Sequence, residues 1–107
     1  MAKEALIRKK AIEILTEKNY ICWFPPKVKY QQTDIFGIVD LLAVRKRERK
    51  SIQLTTVSNI SARRKKIVSF FKKSDVEFPV EIWAWDAQKK KFKKERVNSK
   101  SLKVLSA

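Results

Sequence analysis

The run Ile38-Val39-Asp40-Leu41-Leu42-Ala43-Val44 constrains this chain more than any other stretch. Both of its alternating faces are apolar, broken only at Asp40. Such a strand is stable only when covered above and below, so the chain must layer other elements on both sides of a sheet. The flanking segments supply those layers. Lys3 to about Lys18 has Ile7, Ala11, Ile14 and Leu15 at three- and four-residue spacing with no Gly or Pro, which predicts a helix ended by Asn19. Ser58 or Asn59 caps a second predicted helix to about Lys73, with Ile60, Ile67, Val68 and Phe71 as its stripe. Between the helices, Tyr20 to Phe24 reads as a short strand that Pro25-Pro26 confines to an edge or a bend. Lys27 to Gln32 reads as extended, and Thr33-Asp34 with Gly37 as a turn. Arg45 to Lys50 reads as a charged hairpin loop and Ser51 to Val57 as the return strand. After the second helix, Phe78 to Asp86 alternates Val80, Ile82 and Ala84 with Glu81, Trp83 and Trp85, and Phe92 to Val97 reads as a last short strand. The expected class is α/β: an α-β-β-β-α-β order building one mixed central sheet with helices packed on it. The expectation is one domain over residues 1–107 with a loosely ordered tail from about residue 98.

Composition narrows the chemistry. The chain contains no histidine, one cysteine (Cys22) and one glycine (Gly37). That excludes His-based acid–base catalysis, His or multi-Cys metal sites, an intramolecular disulfide, and the glycine-rich loops that cradle nucleotide phosphates. No apolar run approaches a membrane span and no signal-peptide core opens the sequence, so a soluble, cytoplasmic protein with no membrane partner is expected. The net charge of +15 makes a polyanion the natural partner.

Asp40 is the residue to explain, because a carboxylate inside an apolar strand is costly unless paired, hydrogen-bonded or bound to metal. With the hairpin turn centred in 45–50, Asp40 faces Thr55 and Leu42 faces Gln53. Residues 40, 42, 53 and 55 then share one sheet face, with Asp40 and Gln53 as diagonal neighbours. A two-residue slip keeps that face and a one-residue slip destroys it. Asp40, Gln53 and Thr55 thus form a polar cluster that Glu4, on the first helix, and Asp34, in the preceding turn, could approach. One reading is structural, with Asp40 hydrogen-bonded by Thr55, Thr56 or backbone groups near a sheet end. The other is a site for a hard divalent cation, with Asp40, the Gln53 amide oxygen, a backbone carbonyl and Glu4 as oxygen ligands.

The stretch Thr33-Asp34-Ile35-Phe36-Gly37-Ile38-Val39-Asp40-Leu41-Leu42-Ala43, followed thirteen residues after Asp40 by Gln53-Leu54-Thr55, resembles the PD-(D/E)XK nuclease superfamily. It is most similar to its Holliday-junction-resolvase-like and small phage-type members. Ser58 to Arg63 and Trp83-Ala84-Trp85 resemble the same group more weakly. The resemblance covers roughly residues 3–97. It implies a restriction-endonuclease-like core and a Mg²⁺- or Mn²⁺-dependent DNA endonuclease acting on branched or junction DNA, working as a homodimer. It implies Asp40 and Gln53 as metal ligands with the Leu54 carbonyl, Gln53 standing where the superfamily has Glu or Asp. Glu4 matches the acid of the first helix, and Asp34 fits the turn acid less well. Thr55 departs from the pattern, since the superfamily places a lysine there to position water and offset developing negative charge. Arg63 and Lys66 are the candidates to replace that cation. The competing expectation is a catalytically weak or inactive DNA-binding module on the same fold; an RNA-binding protein leaves Asp40 unexplained.

Positive charge is clustered at Arg45-Lys46-Arg47, Arg63-Arg64-Lys65-Lys66, Lys72-Lys73 and Lys89 to Arg96. Arg45, Arg47, Arg63, Arg64, Lys65 and Lys66 are the expected nucleic-acid contacts. No base-reading motif is visible, so recognition of backbone and shape is expected. Trp83 and Trp85 share a strand face and read as core or interface rather than as stacking platforms.

Overall fold

A computed structural model describes residues 2–24, 36 and 38–97, the side chains of residues 2–4 excepted. The elements are helix α1 (Ala2–Glu17), strands β1 (Ile21–Trp23), β2 (Leu41–Arg45) and β3 (Glu48–Thr56), helix α2 (Ile60–Ser74), and strands β4 (Val80–Asp86) and β5 (Lys91–Val97). The sheet order is β1-β2-β3-β4-β5. Only the β3–β4 pair is parallel, and α2 makes the crossover that a parallel pair requires. The chain is therefore α/β with a five-stranded mixed sheet between two helices.

Each helix covers one face. Ala11 and Leu15 of α1 pack with Tyr20, Leu41, Ala43, Ile52 and Trp83. The predicted stripe of α2, Ile60, Ile67, Val68 and Phe71, packs with Val80, Ile82, Ala84 and Val97. Both helices end in the same way. Asn19 and Asp75 adopt the left-handed conformation, with φ of 71° and 54°, and the next amides reach back to Leu15 and Phe71 carbonyls, so the last turns are closed without glycine. Asn59 stands at the start of α2 as expected but does not cap it: its side-chain amide donates to Thr56 Oγ1 at 3.2 Å, and a 3-10 turn over Val57–Asn59 leads into the helix.

Two expectations need correction near Asp40. The hairpin loop is not Arg45 to Lys50 but Lys46-Arg47 alone, with Lys46 at φ 51° and Arg45 paired to Glu48. The charges continue the ladder rather than forming a loop, since their exposed stems cost nothing on a strand. The register is shifted by two from the expected one: Leu42 faces Ser51, and Leu41 faces Ile52. The shared face survives because the slip is even. The apolar run also does not enter the sheet until Leu41. Ile38 and Val39 are both buried in the α2 layer, which successive residues of a pleated strand do not do. Ahead of them Phe36, with φ 54°, sets its ring 5.5 Å from Phe70 and 6.3 Å from Phe78. The expectations for 25–35, Gly37 and the tail from 98 fall outside the described residues.

Candidate active site

The site begins where β2 leaves β3. Leu41 is opposite Ile52, and the Asp40 amide also donates to the Ile52 carbonyl at 2.9 Å. Two consecutive residues thus face one, a bulge that bends the chain away from its partner. Beyond it no strand among the described residues pairs with β3 on that side. In an extended strand alternate amides point to the same neighbour, so Leu54 N–H points where β2 has left. The Asp40 carboxylate takes that place: its Oδ2 accepts from Leu54 N–H at 2.8 Å and from the Gln53 side-chain amide at 2.6 Å. By the same alternation the Leu54 carbonyl faces this opening.

Asp40 is half-buried, while Gln53 and Thr55 are 1% and 7% exposed, the two buried polar side chains among the described residues. Gln53 is opposite Ile82 and Thr55 opposite Ala84, both on the α2 face. Gln53 Nε2 is bound to Asp40, which turns its oxygen away, and Gln53 Oε1 has no hydrogen-bond partner among the described residues. A buried amide oxygen left unpaired costs about 1–3 kcal/mol, so this oxygen calls for a water, an ion or a ligand to meet it.

The structure brings Asp40 onto the Gln53 side chain and the Leu54 amide, and it places Thr55 two residues beyond Gln53 on the same sheet face. It places Arg63, Arg64, Lys65 and Lys66 on the helix that covers this face, with Arg63 and Lys66 half-buried and Lys65 exposed. Arg64 is otherwise engaged. Its guanidinium forks onto both oxygens of Glu95, with Nη2 at 2.8 Å from Oε1, which holds the Glu95 carboxyl below its ordinary range. Arg45 is likewise tied down, to Glu48 at 2.7 Å and to the Lys18 carbonyl at 2.9 Å, with its charge 4.4 Å over the Tyr20 ring. Neither is a spare cation, whereas Arg47 stands exposed at the hairpin tip. Glu4 lies in α1, whose buried side chains pack on the opposite sheet face, and its side chain is outside those described; Asp34 is outside them too.

Among the described residues no group of three or more acidic, His or Cys side chains is placed to hold a metal. The oxygen set here is instead the Asp40 carboxylate, the orphaned Gln53 Oε1 and the Leu54 carbonyl. A hard cation that keeps several of its waters asks for one or two carboxylates, so this set fits magnesium or manganese, with less charge than a two-acid site. No helix among the described residues is long and apolar enough to cross a membrane. No family model, curated protein or solved structure matches this chain.

Proposed function

We propose that this protein is a metal-dependent DNA endonuclease of the PD-(D/E)XK type, acting on branched or junction DNA. The observation that carries the proposal is the buried, unpaired Gln53 Oε1 held beside the Asp40 carboxylate at the point where β2 and β3 part. Unpaired polar atoms are retained where something else uses them. The α-β-β-β-α-β order, with a parallel strand added to an antiparallel meander, supports the same reading. Asp40, Gln53 Oε1 and the Leu54 carbonyl would hold Mg²⁺ or Mn²⁺, which when bound activates water and stabilises charge on a phosphodiester.

The chain's own groups have separable roles. The Leu54 amide and the Gln53 amide group fix the Asp40 carboxylate in one orientation. Thr55 supplies a hydroxyl but no charge where a lysine is usual. The positive charge that offsets the transition state then falls to Arg63 or Lys66, half-buried on α2. The surrounding net charge of +15 holds the backbone of the substrate. A symmetric junction cut on two strands calls for two copies of this chain.

Thr55 favours one second reading, a DNA-binding module on this fold that has lost cleavage. One experiment separates the two. A four-way junction and a matched linear duplex are incubated with the protein in Mg²⁺, Mn²⁺ or EDTA, beside Asp40→Asn. The expected result is metal-dependent cleavage, faster on the junction, that falls by about a hundredfold or more in Asp40→Asn while binding persists. Salt-sensitive binding with no cleavage in either metal would reject the nuclease in favour of the module.

A further inference from the structure

The opposite face of the sheet carries a second concentration of charge that the site above does not use. On β4 and β5, Glu81 lies opposite Arg96 and Trp83 opposite Lys94. Lys50 reaches the same place from β3, with its Nζ 2.8 Å from Glu81 Oε2. Trp83 Nε1 donates to the other oxygen at 3.0 Å, so both oxygens of this carboxylate are taken. Lys94 Nζ stands 4.2 Å over the buried Trp83 ring. Lys18, just past the end of α1, acts on the Lys94 amine, and Arg96 acts on Glu81. Four cations around one carboxylate leave a surplus of three positive charges.

We propose that Lys18, Lys50, Lys94 and Arg96, arrayed around Glu81 on the α1 side of the sheet, form a second binding surface for the phosphate backbone of DNA, separate from the Asp40 face. The inference rests on the DNA reading above and extends it to a second segment of the same substrate. Folding gains nothing from packing like charges together, and their crowding lowers the affinity of the Lys94 amine for its proton after burial, which acts in the same direction. An anion laid across them offsets that repulsion. Lys50, Lys94 and Arg96 project from a paired sheet, with Lys94 over Trp83 and Lys50 on Glu81, so their spacing is set before any ligand arrives.

The arrangement fits a polyanion rather than a single phosphate. Lys94 and Arg96 are two residues apart on one strand, about 7 Å at the rise of an extended chain. Lys50 and Lys18 continue the track across β3 to the end of α1. This is a strip of exposed and half-exposed side chains beside α1, not a cup. A straight duplex seated at Asp40 leaves the strip uncovered, whereas a branched substrate has a second arm to lay on it.

The test measures binding of the full chain to a fluorescent four-way junction and a matched duplex by anisotropy across a salt series. It compares the wild type with Lys94→Gln/Arg96→Gln, with Lys18→Gln, and with Lys72→Gln/Lys73→Gln, which removes equal charge from the end of α2. Thermal melts confirm that each variant folds. For the junction, the slope of log affinity against log salt is expected to fall by roughly two in Lys94→Gln/Arg96→Gln and by roughly one in Lys18→Gln. The α2 pair should change it by less than half as much as the β5 pair. An unchanged slope in both the β5 pair and Lys18→Gln, or an equal loss in the α2 pair, would overturn the proposal while leaving the DNA reading standing. A wild type that binds neither DNA would overturn both.

Discussion

The two faces of this sheet treat buried polarity in opposite ways. On the α1 side, Glu81 enters a layer of Trp83 and Phe92 with every oxygen satisfied, one by Lys50 and one by the Trp83 indole. Burial raises its carboxyl, but those two hydrogen bonds together with the charges of Lys50 and Arg96 outweigh it, and the group is held below its usual range. On the α2 side, Gln53 is more deeply buried than Glu81, and its oxygen has no partner among the described residues. A charged group that is fully bonded and a neutral group that is not do different work. The first is explained by the fold around it, and the second is the atom that the proposed metal site would use.

That contrast breaks most visibly at Glu81. Glu81→Leu strands the Lys50 amine and the Trp83 indole N–H, and a stability loss of about 1–3 kcal/mol in urea unfolding is expected. Gln53→Leu should behave the other way. It removes the orphaned oxygen and leaves Asp40 its bond from Leu54, so stability should stay within about 1 kcal/mol of wild type while metal-dependent cleavage disappears. A loss at Gln53 as large as at Glu81 would mean that both faces are structural.

Gln53→Glu sharpens the same point through pH. The new carboxyl would lie beside Asp40, where the amide now sits at 2.6 Å, and repulsion would raise its proton affinity in the folded state. A group with a raised folded value destabilises as pH climbs above its unfolded value. The melting temperature in EDTA should therefore fall further below wild type at pH 8 than at pH 5, and Mn²⁺ should restore it. The smallest effect is expected at Glu95. Its carboxyl is lowered by the hydrogen bonds from Arg64, so its contribution is complete above the ordinary glutamate range near 4.3 and is lost as pH falls through the lower folded value. The stability gap between wild type and Glu95→Gln in urea unfolding should hold from pH 8 to about 5 and close below about 4, with a size of about 1 kcal/mol or less.

Much of the layered fold was legible because it is written in local periodicity. The buried stripe of α2 is the one the spacing predicts, and β4 sends Val80, Ile82 and Ala84 to the α2 side and Trp83 to the α1 side, as its sequence alternates. Asp40 with Gln53 was legible for a related reason, since an even register slip does not move a residue to the other face. The length of the hairpin turn was not, because charged residues that suit a loop also suit an exposed edge of a ladder. The bulge at Asp40 was also hidden. Ile38 and Val39 look like strand, and only the space beneath α2 draws both of them inward.

The sequence by itself determined the order of elements, the two covering helices, the excess positive charge and the single acid inside an apolar run. These follow from spacing of three to four residues in helices, two in strands, and from simple composition. Only the tertiary structure decided which cations remain available. Arg64, Arg45 and Lys50 are tied to Glu95, Glu48 and Glu81, while Lys18, Lys94 and Arg96, distant from one another in sequence, gather beside the Lys50–Glu81 pair. Pairing depends on strand register and on which face each residue takes. Both are fixed by long-range contacts, and local sequence carries no trace of them.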